Sequence, residues 1–165
     1  MAGGLAIVLS GGGAKGAFQV GVLDALIREK GVSFETAVGT STGAIQAAAV
    51  AQDDIGRLIG FWRSLNGESS IYRKRGGALW AALTGKDSLY STKPLERLLE
   101  QAFDDAAIRA TGKRLRLAVV NLTDGELRIV GENTPDIHRW VYASSAMPVF
   151  FRPSAANERT LSNDL

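Results

Sequence analysis

The sequence predicts an α/β fold with a central, mostly parallel sheet flanked by helices. A short apolar run at Leu5 to Leu9 is followed by a glycine-rich break and then by apolar residues at helical spacing. The same order of strand, tight turn and helix recurs over residues 34–52. Because strands that alternate with helices form parallel βαβ units, this repeated order predicts a parallel sheet.

The length and the composition predict one globular domain over residues 1–165. Hydrophobic residues make up 45% and charged residues 22% of the chain, which excludes a disordered protein. The formal net charge of +2 is too small to indicate a nucleic-acid partner, but it is compatible with weak attraction to an anionic membrane. The absence of cysteine excludes disulfides, thiol catalysis and Cys-ligated zinc.

The first apolar run, Leu5 to Leu9, has no basic segment before it, so we expect no secretory signal. No apolar segment approaches the length of a transmembrane helix. We therefore expect a cytoplasmic protein, which would meet a lipid substrate peripherally, from the water side of a membrane.

Each element has its own signal. Leu5 to Leu9 is wholly apolar, which predicts a strand buried on both faces. Gly31 is placed to end the helix that follows the glycine-rich break, and Asp124-Gly125 predicts a hairpin. The other predicted strands are Phe34–Val38, Leu115–Leu122 and Glu126–Val130. The predicted helices are Ala17–Lys30, Ala44–Gln52, Asp53–Leu65, Lys93–Phe103 and one from Thr134-Pro135 through Tyr142.

The first chemical motif is Gly39-Thr-Ser-Thr-Gly43, a G-x-S-x-G between a predicted strand and a predicted helix. A nucleophile elbow needs this pattern, because its serine sits on a strained turn that admits only small residues two positions either side. The following helix directs N–H groups at developing negative charge. The motif predicts Ser41 as a nucleophile, with a plain turn and a capping serine as the alternative.

The second motif is Gly11-Gly-Gly-Ala-Lys-Gly16, also between a strand and a helix. Its glycines let the backbone approach a ligand, and successive N–H groups can form an anion-binding nest. Next to a nucleophile such a nest is an oxyanion hole; alone it is a phosphate cradle. The spacing of Gly11, Gly13 and Gly16 also fits a dinucleotide loop. A ribose would require an acidic residue near the end of the second predicted strand, whereas Glu35 lies near its start. Lys15 has the alternative of a solvated residue at the helix start.

Three segments together resemble the patatin-like phospholipase family. Leu9-Ser-Gly-Gly-Gly-Ala-Lys-Gly-Ala-Phe-Gln-Val-Gly-Val-Leu23 is similar to its glycine-rich opening, and Gly39-Thr-Ser-Thr-Gly43 to its nucleophile elbow. Ala143-Ser-Ser-Ala-Met-Pro148 is similar to its A-S-x-A-x-P stretch. The resemblance implies a three-layer α/β fold related to the α/β-hydrolases. It also implies a serine acyl hydrolase of phospholipids or other acyl lipids that needs no metal or organic cofactor.

The resemblance implies a Ser–Asp dyad, whose aspartate belongs to a D-G-[GA] motif beyond A-S-x-A-x-P. Asp164 lies at the expected distance, but Leu165 stands where the family has glycine. Family members usually continue past this point, so we expect the domain to be incomplete at its C-terminus. The implied oxyanion hole is formed by the loop from Gly11 through Gly12, Gly13 and Ala14, together with Thr42.

The composition favours a dyad independently, because the chain has a single histidine, His138, on a predicted helix far in sequence from both glycine motifs. A carboxylate that accepts the serine proton directly needs a pKa raised by burial. Asp24, Asp124 and Asp136 are the other candidate acids, although Asp124 also suits the turn and Asp24 a polar helix position.

The stretch Tyr72 to Leu83 combines basic residues with Trp80, as a membrane-contacting or lid element would. A solvated loop followed by a packed helix is the alternative. Two other classes of function remain open: a lipid- or phosphate-binding module without catalysis, and a nucleotide-binding α/β domain.

Overall fold

The computed structural model describes residues 4–66, 93–121 and 123–145. Over these ranges the strands are β1 (Ala6–Leu9), β2 (Thr36–Gly39), β3 (Arg114–Val120) and β4 (Leu127–Gly131). The α-helices are α1 (Gly16–Leu23), α2 (Thr42–Ala51), α3 (Ile55–Asn66), α4 (Lys93–Ala102), α5 (Asp105–Ala110) and α6 (Ile137–Ser145). A 3-10 turn, Gly13–Lys15, leads into α1, and a π-helical segment, Asp24–Glu29, continues it.

The strands form one sheet in the order β1-β2-β3-β4. β1 pairs with β2 and β2 with β3 in parallel, whereas β3 and β4 form an antiparallel hairpin. The α/β class and the mostly parallel sheet predicted from the sequence are therefore confirmed.

Helix α2 is the centre of the described core, since all of its residues are buried. It packs on β1, β2 and β3, while α6 packs on β3, α2 and α4. Both parallel crossovers move the chain in the same direction across the sheet, and right-handed crossovers then place their helices on the same face. The core consequently lies between this face and the helices.

The opposite face of the sheet is apolar but open in the described part of the chain. Val8 of β1 is 75% exposed, and Val120, Leu127 and Ile129 of the hairpin are exposed as well. The prediction that β1 is buried on both faces is therefore wrong, because Val8 on its second face is exposed. An apolar run shows that a strand can be covered on both sides, but other elements decide whether it is.

The other strands and helices predicted within the described ranges hold to within a few residues, and one helix was not predicted. Gly31 follows the extended first helix in the left-handed conformation, at φ 66°, as a helix-ending glycine. The sequence did not predict α5, which is only six residues long and is capped by Asp104 through the N–H groups of Ala106 and Ala107. Tyr72 to Leu83, Ala146 to Pro148 and Asp164 lie outside the described residues. Among the described helices, none is both long and apolar enough to cross a membrane.

Candidate active site

The two glycine motifs meet at one edge of the sheet. Leu9 and Gly39 are paired at the carboxyl ends of β1 and β2. The carboxyl ends of neighbouring parallel strands share an edge, which is where α/β folds place their ligand sites. The loop after Leu9 and the turn after Gly39 therefore adjoin, although 30 positions separate these two residues.

Ser41 occupies the turn between β2 and α2 with φ 54° and ψ −125°. A non-glycine residue with positive φ outside the left-handed helical region is strained, and such strain persists only where the surroundings enforce it. Gly39 and Gly43 are part of these surroundings, because the backbone packs too closely for a side chain at either position. A methyl group at Gly39 would collide with the carbonyl of Gly43, and one at Gly43 would collide with the carbonyls of Leu9 and Ser10.

The backbone of Ser41 is held by a residue from the far end of the described chain. The Ser41 N–H donates to Ser144 Oγ at 2.9 Å, and Ser144 Oγ donates to the carbonyl of Ala118 at 2.7 Å. Ser144 thus links the turn to α6 and to β3. The sequence motif A-S-x-A-x-P contains Ser144, but nothing in the sequence assigns this contact to it.

The glycine loop passes directly over the serine side chain. A Cβ placed on Gly11 would lie 3.0 Å from Ser41 Cβ and 3.6 Å from Ser41 Oγ, so the absence of a side chain allows this approach. Further along the loop, Gly13 adopts φ 50° and its carbonyl accepts from Thr42 Oγ1 at 3.3 Å. The predicted nucleophile and the predicted oxyanion loop are therefore brought together.

Gly16 fastens the loop to α2. A side chain there would collide with Thr42 and approach Gln46, and the Gln46 Nε2 donates to the carbonyl of Gly16 at 2.9 Å. Lys15, by contrast, is exposed, and its N–H donates to the carbonyl of Gly12 at 3.0 Å. This position suits the solvated residue at a helix start that was the alternative for Lys15.

The glycine loop and the start of α2 both adjoin Ser41. Thr42 is the first residue of α2, and the first four N–H groups of a helix have no acceptor within it. Gly13 and Ala14 lie in the 3-10 turn that leads into α1. N–H groups at helix starts favour negative charge, so an oxyanion formed beside Ser41 would be stabilised here.

None of the carboxylates in the described ranges hydrogen-bonds to Ser41 Oγ, and the predicted acid, Asp164, lies outside those ranges. Asp24, in the segment that continues α1, pairs with Arg28 of the same segment and with Arg63 of α3. Asp136 is exposed and adopts φ 58°. The carboxylate of Asp136 pairs with Arg139, and neither this carboxylate nor that of Asp24 hydrogen-bonds to Ser41.

Asp124 acts in the hairpin loop. Its carboxylate accepts from the Glu126 N–H at 2.8 Å and from Asn121 Nδ2 at 2.9 Å. The Glu126 N–H and the Arg128 guanidinium lower the pKa of Asp124. This is the opposite of what a general base needs, so Asp124 has the turn role that was its alternative.

His138 lies near the start of α6, six residues before Ser144. The helical rise puts it about 9 Å along the axis from Ser144. No hydrogen bond joins the imidazole to Ser41 in the described part of the chain, which fits a histidine on the helix surface. In the same ranges, no group of three His, Asp or Glu side chains could hold a metal ion.

Comparison with known proteins finds a matching family model and similar proteins. The model of a family described as patatin-like phospholipase matches residues 7–162. The uncharacterized protein YqhO of Bacillus subtilis is 28% identical over 88% of this chain and 56% of its own length. The patatin-like phospholipase domain-containing protein ZK370.4 of Caenorhabditis elegans is 39% identical over 58% of this chain and 8% of its own length.

Among solved structures, VipD from Legionella pneumophila has a similar fold, with a TM-score of 0.54 and 21% sequence identity. The similarity covers 90% of this chain and 43% of VipD. The chain thus spans only about half the length of YqhO and less of the other two proteins.

Proposed function

Because the chain belongs to the patatin-like phospholipase family, we propose that it hydrolyses acyl ester bonds of phospholipids or other lipids, with Ser41 as the nucleophile. The observation that carries the proposal is the close approach of Gly11 to Ser41. A Cβ placed on Gly11 would lie only 3.0 Å from Ser41 Cβ. A plain βα turn needs neither this contact nor the strained backbone of Ser41.

The proposed reaction is covalent catalysis. Ser41 Oγ attacks the ester carbonyl, and Asp164 takes the hydroxyl proton. The N–H groups of the loop Gly11–Ala14 and of Thr42 hold the oxyanion of the tetrahedral intermediate. The alcohol leaves with the proton, and water then attacks the acyl-serine, which releases the fatty acid and restores the hydroxyl.

No step of this scheme requires a metal or an organic cofactor. A lipid substrate implies peripheral contact with a membrane surface, for which Tyr72 to Leu83 supplies the basic and aromatic residues. The assignment of Asp164 as the proton acceptor rests on the family resemblance alone. A variant of Asp164 therefore tests the acid–base role separately from the variant that tests the nucleophile.

Hydrolysis of p-nitrophenyl butyrate and of phosphatidylcholine vesicles tests the proposal on the native chain, Ser41→Ala and Asp164→Asn. We expect hydrolysis by the native chain and a loss of at least 100-fold in kcat in either variant, the order that removal of a catalytic acid–base group costs. Asp136→Asn is the matched control, since this exposed carboxylate lies in the described region and has no contact with Ser41. Hydrolysis that persists in Ser41→Ala would contradict the mechanism.

A nucleotide-binding function finds less support. Glu35 immediately precedes β2, so it lies at the edge of the sheet opposite to the glycine loop and cannot bind a ribose there. ATP or NAD that raised the melting temperature of the chain, together with no ester hydrolysis, would favour this alternative. Phosphatidylcholine binding without hydrolysis would favour a binding module instead.

A further inference from the structure

A buried glutamine on α2 is bonded to the end of the glycine loop. Gln46 is fully buried, and its Nε2 donates to the carbonyl of Gly16 at 2.9 Å. Its Oε1 is buried as well, and within the described ranges no group donates to it. A half-satisfied amide costs free energy in a protein interior, so packing alone would favour an apolar side chain at this position. The bond to the loop is therefore the feature that accounts for an amide here.

The helix that carries Gln46 also carries a second donor to the loop. Thr42 lies four positions earlier on α2, which makes the two residues neighbours on one helix face. Thr42 Oγ1 donates to the carbonyl of Gly13 at 3.3 Å. Ser41 immediately precedes this helix. A single helix thus positions the proposed nucleophile and holds the glycine loop at two points.

The bonded carbonyls set the direction of the loop N–H groups. In a trans peptide the C=O and the N–H that follows it point in opposite directions. The Gly13 carbonyl is directed at Thr42, so the Ala14 N–H points away from that hydroxyl. The Gly12 carbonyl is bonded to the Lys15 N–H at 3.0 Å, which in the same way fixes the Gly13 N–H. The N–H groups of the proposed oxyanion hole therefore depend on how the loop carbonyls are held.

Side chains hold the loop at its start, in its middle and at its end. At the start, Gln19 Nε2 donates to the carbonyl of Ser10 at 3.0 Å, but this bond is exposed to solvent. At the end, the bond from Gln46 to Gly16 is buried, so water does not compete for the carbonyl. Removal of the Gln46 donor would leave this carbonyl unsatisfied and the end of the loop free to shift.

We propose that Gln46 is a positioning residue for ester hydrolysis, which holds the glycine loop through the Gly16 carbonyl so that the loop N–H groups meet the oxyanion beside Ser41. The inference rests on the proposed function, because an oxyanion forms there only if Ser41 attacks an ester carbonyl. Gln46 acts through the loop backbone alone. Its loss therefore weakens stabilisation of the transition state and not the affinity for the substrate.

The direct test is Gln46→Met, which removes the amide and keeps an unbranched side chain of similar length. For p-nitrophenyl butyrate we expect kcat to fall about tenfold or more while KM changes by less than about threefold, since oxyanion donors act in the transition state. The value of kcat is calculated per folded molecule, with the folded fraction taken from urea denaturation. A glutamine that only packed the core would then leave kcat unchanged.

Gln52→Met is the matched control. Gln52 is the same type of residue at the other end of α2, and its Nε2 donates to the carbonyl of Ala102 at 3.0 Å. Its Oε1 also accepts from the Asp104 N–H at 2.8 Å. The control thus removes at least as many bonds between α2 and its neighbours, but none to the glycine loop. Its kcat should stay within about twofold of the native value, since only donors at the oxyanion act on the rate.

Thr42→Val and Thr42→Ser form a second pair, which keeps the inference testable if Gln46→Met does not fold. Valine replaces the hydroxyl with a methyl group, whereas serine keeps the donor to the Gly13 carbonyl. The value of kcat should therefore fall about threefold or more further in Thr42→Val than in Thr42→Ser. If Gln46→Met has the native kcat and the two Thr42 variants have equal kcat, while hydrolysis still depends on Ser41, the positioning role is overturned and the proposed function stands.

Hydrogen exchange, followed by NMR, tests the contact without catalysis. The Lys15 amide is bonded within the loop, so it should exchange about tenfold or more faster in Gln46→Met and at the native rate in Gln52→Met. If the native chain hydrolyses no ester, the proposed function fails, and this exchange rate alone decides whether Gln46 holds the loop. Exchange of the Lys15 amide at the native rate in Gln46→Met would overturn the inference.

Discussion

The backbone N–H of Ser41 donates to the hydroxyl of Ser144 at 2.9 Å across 103 positions of sequence. The same hydroxyl donates to the carbonyl of Ala118, so its single proton and one lone pair are both engaged. Ser144 therefore fixes the strained turn, and its own hydroxyl proton is committed to the carbonyl of Ala118.

Replacing Ser144 with alanine should loosen this turn. The Ser41 N–H would lose its acceptor in a partly buried position, at a cost of about 1–3 kcal/mol in the free energy of unfolding. Urea denaturation measures that cost, and the rate of Ser41 acylation should fall as well. Ser145→Ala is the matched control, because the bonds of Ser145 Oγ within the described ranges go to the carbonyls of Val141 and Tyr142 in its own helix. Equal acylation rates in both variants would contradict a positioning role for Ser144.

The strain at Ser41 predicts that glycine is the more stable replacement. Glycine adopts positive φ without a Cβ penalty, so Ser41→Gly should exceed Ser41→Ala in unfolding free energy by about 1–2 kcal/mol. Both variants lack the hydroxyl, and neither should hydrolyse esters. Denaturant melts of the two proteins make the comparison. An alanine variant at least as stable as the glycine variant would mean that the turn is not strained at this residue.

Close backbone packing predicts that Gly43 cannot be enlarged. A Cβ there meets the carbonyls of Leu9 and Ser10, which are main-chain atoms at the sheet edge and cannot swing aside. Gly43→Ala should cost about 3 kcal/mol or more, the upper range for overpacking. In Gly21→Ala the added methyl has no atom within 4 Å, and this α1 substitution should instead gain about 0.5–1 kcal/mol. Thermal melts of both variants would separate packing at the turn from glycine replacement in general.

Glu132 connects stability to pH. Burial raises the pKa of its carboxyl, but the Leu115 N–H at 2.9 Å, its own N–H and Arg116 outweigh that effect and lower the pKa below 4.5. A lowered pKa in the folded state stabilises the protein above pH 4.5, and this stabilisation is lost as the pH falls through the lowered value.

Glu132→Gln should therefore reduce the unfolding free energy by about 1 kcal/mol at pH 7, and the difference from the native chain should shrink toward pH 3. Urea melts across this range measure it. Glu126→Gln is the control, since this carboxylate is exposed and meets Arg128 at the surface of the hairpin. A difference for Glu132→Gln that stays constant with pH would exclude the ionised carboxylate as its cause.

The sequence predicted those parts of the site that depend on local rules. Small residues around Ser41 and the glycines after β1 are required by their own turns, and parallel strands bring the two motifs to one edge. The features that the sequence did not predict depend on residues that are distant along the chain. The Ser144 contact depends on how α6 packs, and the exposure of Val8 depends on what covers the sheet, neither of which the local pattern contains.

Reaction with a fluorophosphonate probe, followed by mass-spectrometric identification of the modified residue, tests the central claim most directly. If Ser41 is an activated nucleophile held under the glycine loop, the probe should modify Ser41 alone in the native chain and nothing in Ser41→Ala. Modification of another serine, or equal labelling of the two proteins, would contradict the assignment of Ser41 as the nucleophile.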